Sequence, residues 1–348
     1  MSGYGISRRS FIAVTGGAAA WAALPSVLKG QTPTTRPILG SGEHTYECFH
    51  DWLTPPSNIS WGDTQGLAVD GHGNIYVSHT VGGGSVSKDA ILVFDQKGKF
   101  MKSWGSQFVG GGHGLDLRKE GGQEFLYHCD TNHRKVVKTT LDGEVIWERG
   151  APKESGVYPT EDKWCPTNVA FLPDGDLFVG DGYGSSYIHK YSANGDYKGI
   201  VVKPGKDLGF VSTPHGLWVD TRTHHHKLVV ADRGNRRLQE FELDGKPIGF
   251  ITAGMREPCH LHYNHGLVLV PDLDSMVTIL DKDNKVVAAL GDGIESDGQP
   301  SRLRDAPREK FIPGKFVHPH ASIWMNRKDI LVAEWVPIGR LTMLRKVS

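Results

Sequence analysis

The amino-acid sequence predicts an all-β protein, a six-bladed β-propeller built from four-stranded antiparallel blades. The first observation is a repeat of 51 residues: an acid ends a short apolar strand at Asp130, Asp181 and Asp232, and His79 holds the same place one repeat earlier. The second is a set of Asp-Gly and Asn-Gly turns between apolar runs, a pattern typical of hairpins. These turns lie at 142–143, 194–195 and 244–245. The third is that no long segment has a helical period, and four-stranded units repeated at about this length are typical of a propeller.

The first repeat unit contains the four expected strands in order. They are predicted at Gly66–Asp70, Ile75–Ser78, Ala90–Asp95 and Phe100–Trp104. Each strand is a short apolar run, and turn residues separate one run from the next. Because one twisted sheet cannot bury both of its faces alone, we expect each blade to stack on its neighbours in a closed ring.

The last two units depart from the regular interval. Their acids, Asp272 and Glu334, follow after 40 and 62 residues, because the fifth unit is short and a charged loop, Gly291–Pro313, precedes the sixth. The sixth unit has three strands, which are predicted at Ala321–Trp324, Ile330–Glu334 and Arg340–Val347. We expect the N-terminal segment His44–Trp52 to supply the missing outer strand and so close the ring.

The N-terminus is predicted to be an export signal. Arg8 and Arg9 precede Ser-Phe-Ile and a weakly apolar run rich in Ala and Gly, Ala13–Leu28. A charged segment followed by a short apolar one is typical of a signal peptide, and the paired arginines indicate the twin-arginine route. An ordinary secretory signal is the alternative. We therefore predict a signal peptide at 1–30, a flexible leader at 31–41, the propeller at 42–348, and a periplasmic or secreted protein.

The composition argues against a nucleic-acid partner. Lys and Arg together number 39, as do Asp and Glu, so there is no basic excess to attract nucleic acid or an anionic membrane. Outside the signal, no stretch is apolar for long enough to span a bilayer. Four cysteines stand at positions whose spacing fits no zinc knuckle. They are Cys48, Cys129, Cys165 and Cys259.

Three histidines recur at one position of the repeat. In a propeller the innermost strand of each blade lines the central channel, and its first residue lies at one mouth. The six equivalent positions hold Gln65, His113, Thr167, His215, Cys259 and His320. The histidines belong to alternate blades, about 120° apart in a six-bladed ring. Three imidazoles with an open fourth position are the ligands of a catalytic zinc site, so we predict zinc or another divalent metal here. The alternative is that a channel mouth merely collects polar residues. Two further histidines beside the mouth are weaker candidates, His260 and His318.

Repeat motifs extend over almost the whole propeller. The pattern in Asp232–Phe241 resembles the NHL repeat. More specific are His-Gly-Leu at His113, Pro-Thr-Asn-Val followed by Asp-Gly-Tyr at Tyr183, Pro-His-Gly-Leu at His215, and Pro-His at His320. With these motifs the chain resembles the peptidyl-α-hydroxyglycine α-amidating lyases (peptidylamidoglycolate lyases). That family is a six-bladed propeller that holds zinc by three histidines and cleaves a carbinolamide C–N bond to give an amide and glyoxylate.

The resemblance implies roles for particular residues. His113, His215 and His320 would hold zinc, which would act as a Lewis acid on the substrate hydroxyl. Tyr183 would be the active-site tyrosine that takes the hydroxyl proton. Arg233 would bind or orient a carboxylate, for which its planar guanidinium is suited.

The chain also departs from the family at three places. The loop after the second strand of the first blade, His79–Gly84, lacks the arginine that the family has there. Ala321 replaces an acid that binds structural calcium, which makes calcium doubtful, and Gly184 replaces a cysteine of a disulfide. The metal ligands therefore match, whereas only half of the carboxylate clamp is present. His79 is a candidate replacement base.

Three functions remain open on these grounds. The first is an exported zinc-dependent lyase that acts on a small-molecule or peptide substrate and breaks a C–N or C–O bond. The second is a non-catalytic NHL propeller that binds a ligand or protein. The third is a propeller lyase or hydratase acting on a carbohydrate, which would dock on exposed aromatic side chains. Tryptophans near predicted strand ends are Trp61, Trp164, Trp218, Trp324 and Trp335.

Overall fold

Six antiparallel sheets arranged as blades make up the computed structural model, which describes residues 36–347. The predicted six-bladed β-propeller is therefore confirmed. The predicted signal peptide at 1–30 lies outside the described residues. Within them, the helices are short 3₁₀ turns, and none could cross a membrane. These turns are Ser106–Phe108, Lys153–Ser155, Glu161–Lys163, Arg233–Asn235 and Arg308–Lys310.

Each blade runs from an inner strand at the channel to an outer strand at the outside of the ring. Blade 1 consists of Thr64–Val69, Ile75–His79, Ile91–Phe94 and Phe100–Trp104. Blade 2 consists of Gly112–Glu120, Gln123–Asp130, Lys135–Thr140 and Val145–Arg149. Blade 3 consists of Asn168–Phe171, Leu177–Gly180, Ile188–Tyr191 and Tyr197–Pro204, with the short parallel strand Phe210–Val211 outside them. Blade 4 consists of Pro214–Asp220, Lys227–Asp232, Arg237–Glu242 and Pro247–Ile251. Blade 5 consists of His262–Asn264, Leu267–Asp272, Met276–Leu280 and Val286–Leu290.

Blade 6 is completed by the N-terminal segment, as predicted. Its C-terminal strands are Pro319–Trp324, Ile330–Glu334 and Arg340–Lys346. The strand His44–Phe49 pairs antiparallel with the last of these, so the two ends of the propeller share one sheet. Outside it lies Ile38–Ser41, which pairs with His44–Phe49. The flexible leader predicted at 31–41 is thus corrected over its last four residues, because Leu39 packs on the apolar cluster between blades 5 and 6.

Apolar clusters occupy all six interfaces between neighbouring blades. The cluster that closes the ring joins the last blade to the first, with Ile323 and Leu331 packed against Leu67 and Val77. Equivalent clusters lie between each of the other neighbouring pairs. Burying one such aliphatic side chain contributes about 1.5–3 kcal/mol. The blades therefore hold one another in a ring whose channel positions are fixed from all sides.

In blades 3 to 6 the acid at the end of the second strand fastens the chain that enters the inner strand of the same blade. Asp181 accepts a hydrogen bond from the Cys165 N–H at 2.7 Å, and Asp232 accepts one from the Ser212 N–H at 2.7 Å. Glu334 accepts one from the N–H of Val317 at 2.6 Å. These acids are buried, and their lone pairs satisfy main-chain donors that would otherwise lack partners. The repeated acid is thus structural in these blades, where it fixes the segment that leads to the channel residue.

Three buried histidines outside the channel make the fold sensitive to acid. Burial lowers the pKa of His79 and His189 to about 4 and that of His128 to about 3. In the unfolded chain they titrate near ~6.5, so below that pH the unfolded chain binds protons that the folded chain does not. The free energy of unfolding should fall by up to about 1.4 kcal/mol per histidine for each pH unit between ~6.5 and ~4. Burial raises the pKa of Asp181 to about 7 and that of Asp272 to about 6, and it also raises the pKa values of Asp63 and Asp232, which opposes this loss. His50 and His262, whose pKa values burial lowers to about 3, add to the loss.

We expect the urea midpoint of the metal-free protein to decrease between pH 7 and pH 5. His128→Gln provides the internal control, because glutamine keeps a partner for the Thr139 hydroxyl but does not titrate. Its midpoint should depend less steeply on pH than that of the wild type. Equal slopes for the two proteins would contradict the assignment of acid sensitivity to buried neutral histidine.

Candidate metal centre

The three histidines predicted as metal ligands meet in the channel. His113, His215 and His320 lie on the inner strands of blades 2, 4 and 6, and their ring centroids are 4.7–4.8 Å apart. One nitrogen of each ring lies within 4.8 Å of the others. All three side chains are buried, with 2–4% of their surface exposed. Such a cluster can bind a metal ion.

Main-chain carbonyl groups of the intervening blades orient the three rings. Each Nδ1 lies 2.7–2.9 Å from a carbonyl oxygen at the channel position of the next blade. The pairs are His113 with Thr167, His215 with Cys259, and His320 with Gln65. Because a carbonyl oxygen only accepts, each Nδ1 carries the proton and each Nε2 keeps its lone pair. Alternate blades thus supply imidazoles and the carbonyl groups that set their tautomer, the arrangement that metal-binding histidines use.

Glycine after the histidine permits this close approach in two of the three blades. A Cβ atom at Gly114 would collide with the Thr167 carbonyl oxygen, and one at Gly216 with the Cys259 carbonyl oxygen. These are the oxygen atoms that accept from His113 and His215. The His-Gly pairs seen in the sequence therefore have a steric cause.

The electrostatic surroundings keep the three rings neutral. Burial lowers the pKa of His113 to about 3 and lowers the pKa values of His215 and His320 well below the ordinary range. The positive charge of Arg233 acts in the same direction. Neutral imidazoles with free Nε2 lone pairs are the form that binds a metal.

The residues present fit a divalent metal with nitrogen ligands. The Nε2 atom of His320 is buried and has no hydrogen-bond partner among residues 36–347, an arrangement that is costly without a ligand. The enclosed space beside the rings is about 10 Å³, room for about one water-sized group. Zinc suits three neutral imidazoles. A larger cavity of about 400 Å³ lies beside the 291–313 loop and contains none of these side chains.

Calcium does not fit in the same way. Ala321, at the position of the family's calcium-binding acid, is buried in the apolar cluster between blades 6 and 1. Calcium requires six to eight oxygen ligands, and alanine offers only its main-chain carbonyl. That calcium is doubtful therefore stays a prediction.

The side chain of Tyr183, from blade 3, extends to the three-histidine cluster. It follows Asp181 and Gly182, and its hydroxyl lies 3.2 Å from Nε2 of His113 and 2.9 Å from Nε2 of His215. The residue is 43% exposed, although its hydroxyl faces the buried histidines. Burial raises the pKa of Tyr183, and the charge of Arg233 opposes the rise. The structure therefore brings the predicted tyrosine to the predicted metal ligands.

Arg233 is partly exposed and contacts the tyrosine. Its guanidinium carbon lies 5.1 Å from the Tyr183 ring centroid, and one of its nitrogens lies 3.4 Å from the Tyr183 hydroxyl. The same nitrogen lies 3.8 Å from the sulfur of Cys259. These contacts favour the ionised form of Tyr183. They leave the carboxylate-binding role expected of Arg233 as a prediction.

His79 has a structural role, which corrects the prediction that it is a replacement base. The side chain is fully buried, and Nδ1 accepts hydrogen bonds from the main-chain N–H groups of Gly62 and Val81. The other nitrogen donates to the Asp89 carbonyl group at 3.0 Å. Both nitrogens are therefore occupied, and the ring fastens the entry to blade 1 as acids do in other blades.

The remaining candidates lie outside the cluster of three. His318 donates from Nδ1 to the Leu273 carbonyl group at 2.6 Å, and His260 lies 3.7 Å from a carboxylate oxygen of Asp116. Among the five tryptophans considered for sugar binding, three are buried in the core: Trp61, Trp164 and Trp324. Trp335 is half-buried at the mouth, where Arg304 from the 291–313 loop stacks on it. Sequence reasoning missed Arg304, because no repeat position marks it.

Comparison with known proteins points to amidating lyases. No family model matches the chain. The chain is 27% identical over 249 residues to peptidyl-alpha-hydroxyglycine alpha-amidating lyase 1 of Drosophila melanogaster, a match that covers 62% of this chain and 44% of that protein. It is 26% identical over 331 residues to amidating lyase 2 of the same organism, covering 86% of this chain and 74% of that protein. The chain thus spans less than half the length of the first relative.

Solved structures show the same fold at lower identity. A gluconolactonase from Xanthomonas campestris aligns with a TM-score of 0.57 at 12% identity, covering 90% of this chain and 95% of that one. An identity this low supports the fold alone. The chain is a six-bladed propeller of the NHL type that resembles the amidating lyases, and its three-histidine cluster lies at the channel.

Proposed function

We propose that the chain is an exported, metal-dependent lyase that cleaves a carbinolamide C–N bond, as in peptidyl-α-hydroxyglycine substrates. The observation that carries the proposal is the position of the Tyr183 hydroxyl, within hydrogen-bond distance of two unprotonated imidazole nitrogens. A proton-transfer group at the centre of a three-histidine cluster favours catalysis over passive binding. The relatives named amidating lyases support the same reaction class.

His113, His215 and His320 would hold the metal, for which zinc is the best fit. When bound, zinc supplies a Lewis acid that makes the substrate hydroxyl more acidic. The three histidines contribute by staying neutral and by being held in place by the three carbonyl groups, so that they need no reorganisation when the substrate arrives.

Tyr183 would move the proton. In its ionised form, which Arg233 favours, the tyrosine oxygen accepts the proton of the substrate hydroxyl. The oxygen electrons then form the C=O bond of glyoxylate, and the C–N bond breaks with its electron pair on nitrogen. The departing amide nitrogen takes up one proton, which Tyr183 can return, so the tyrosine ends in its starting form.

The test is release of glyoxylate by the mature protein loaded with zinc. N-Acyl-α-hydroxyglycine peptides should yield equal amounts of amide and glyoxylate, measured by mass spectrometry and a carbonyl-specific reagent. A zinc-loaded protein that releases no more glyoxylate than buffer would contradict the proposed reaction. Export rests on residues 1–30 and is tested separately, by whether Arg8→Lys with Arg9→Lys retains the protein in the cytoplasm.

The histidine–carbonyl arrangement gives a prediction about metal affinity. Gly216→Ala should displace the Cys259 carbonyl group from Nδ1 of His215 and weaken zinc binding about 10–100-fold. The measurement is a competition titration against a fluorescent zinc chelator. Ala321→Gly, at the equivalent position of blade 6, is the matched control, because the native residue already accommodates the approach of the Gln65 carbonyl group. Unchanged affinity in Gly216→Ala would show that the carbonyl contact does not orient the ligand.

A further inference from the structure

One residue of each blade forms the rim of the channel mouth near the three histidines. In blades 2 to 6 it follows the acid that ends the second strand, and in blade 1 it follows His79. Five of these residues are partly exposed, and blade 3 has a buried glycine instead. The six residues, in order from blade 1 to blade 6, are Thr80, Thr131, Gly182, Arg233, Leu273 and Trp335. Arg233 is the one charged residue in this set, and it contacts Tyr183. The opposite side of the rim, at blades 6 and 1, has the indole of Trp335.

Arg304 brings a second guanidinium to that opposite side. Its guanidinium carbon lies 3.8 Å from the Trp335 ring centroid, and Nη2 donates to a carboxylate oxygen of Asp63 at 2.8 Å. Asp63 is joined to the rim residue of blade 1, since its N–H donates to the hydroxyl of Thr80 at 2.9 Å and its carbonyl accepts from the Thr80 N–H at 3.1 Å. Arg304 thus lies over the rim between blades 6 and 1, although it belongs to the loop before blade 6.

Two hydrogen bonds and adjacent main-chain positions connect the site of Arg304 with the histidine cluster. Thr64, next to Asp63, donates from its hydroxyl to the Glu334 carbonyl group at 2.8 Å, and Trp335 follows Glu334. The next residue, Gln65, provides the carbonyl group that orients His320. The segments that hold Arg304 are therefore the same segments that hold the third metal ligand.

Part of the Arg304 guanidinium is available to a ligand. Its side chain is 23% exposed, and Nη1 pairs with the adjacent Asp305, which is 79% exposed. An ion pair with so exposed a carboxylate is weak and exchanges readily with another anion. Nε is buried and has no hydrogen-bond partner within the described part of the chain, so the terminal nitrogens Nη1 and Nη2 are the ones that a ligand can reach. Stacking on Trp335 and pairing with Asp63 fix the plane of the group without using all of its donors.

We propose that Arg304 is a specificity-determining residue that binds a carboxylate of the substrate at the rim, while Arg233 serves Tyr183. The assignment rests on the proposed lyase function, and it names the side of the mouth that the carboxylate occupies. A planar guanidinium presents paired donors that match a carboxylate, and Trp335 holds it in that orientation. A carboxylate at Arg304 and a reacting carbon near Tyr183 would place the substrate across the histidine cluster.

Hippurate and its neutral amide, hippuramide, test carboxylate recognition without any reaction. Calorimetric titration of the zinc-loaded wild type should show tighter binding of hippurate than of hippuramide. Arg304→Met keeps an apolar stem on Trp335 and should weaken hippurate binding about 10–100-fold while leaving hippuramide binding unchanged. Arg304→Lys should restore part of the affinity, since it keeps the charge but not the paired donors. Zinc content should stay the same in all variants.

Arg302→Met is the matched control from the same loop. Arg302 is 60% exposed and pairs with Glu295 and Asp297, so its replacement should change hippurate affinity by no more than about twofold. Equal binding of hippurate by wild type and Arg304→Met, or no saturable hippurate binding by the wild type, would overturn the assignment. If hippurate binding depends on Arg304 but the wild type releases no glyoxylate, the lyase function fails and the carboxylate site stands. If glyoxylate is released at the same KM by Arg304→Met, the function stands and the assignment fails.

Discussion

Tyr183→Phe is expected to lower kcat for C–N cleavage about 10²–10⁴-fold, the usual contribution of a positioned proton-transfer group. The variant removes one oxygen atom, the one that lies 3.2 and 2.9 Å from the two imidazole nitrogens. The phenyl ring keeps the contact with Arg233, because that contact is with the ring face as well as the hydroxyl. KM should change little, since the substrate is held elsewhere in the mouth.

The control for this variant is Tyr187→Phe, four residues further along the chain. Tyr187 packs on Tyr158 and His189 in the blade and makes no contact with the histidine cluster among the described residues. Its kcat should equal that of the wild type. Zinc content should be the same in both variants and in the wild type. A Tyr183→Phe enzyme with full activity would remove tyrosine from the mechanism, whereas loss of zinc together with activity would make Tyr183 a ligand instead.

His215→Ala is expected to lower zinc affinity on the order of 10²–10³-fold, which is roughly one ligand's share of the binding free energy of a zinc site. The loss has two causes in the structure. One of the three Nε2 atoms that would bind the metal disappears. The Cys259 carbonyl group also loses the hydrogen bond that it accepts from Nδ1 of His215. Competition with a fluorescent chelator measures the affinity directly.

Gln65→Ala provides the comparison at an equivalent channel position. Gln65 orients His320 through its main-chain carbonyl group, which alanine retains. Its zinc affinity should therefore stay close to that of the wild type. If Gln65→Ala and His215→Ala weaken zinc binding equally, the loss reflects general damage to the channel and not removal of a ligand.

The periodic part of the fold was open to prediction from sequence. The 51-residue repeat places an acid at the end of the second strand in blades 2 to 4, and Asp181 and Asp232 fasten the chain before the inner strand through main-chain hydrogen bonds. Once the repeat is aligned, the channel position of each blade is determined, and it holds His113, His215 and His320 in alternate blades. The local physics of turns and strands was therefore sufficient for the ring and for the residues that meet in its channel.

Features without a period needed the three-dimensional structure. His79 reads as a possible base because it replaces an acid, yet its neutral ring performs the acid's task of accepting main-chain N–H groups. Arg304 lies in an irregular loop, and only the folded chain brings it to Asp63 and Trp335. Ile38–Ser41 has no strong strand pattern, and its pairing depends on the edge that His44–Phe49 offers.

Elemental mass spectrometry of the purified mature protein tests the metal centre most directly. The predicted result is about one zinc per chain, retained through gel filtration, because three fixed neutral imidazoles bind zinc tightly. The protein should also regain one equivalent after removal of the metal and incubation with zinc. A wild-type protein that carries no divalent metal, even after incubation with zinc, would contradict the metal centre, and the three histidines would then be polar lining of the channel.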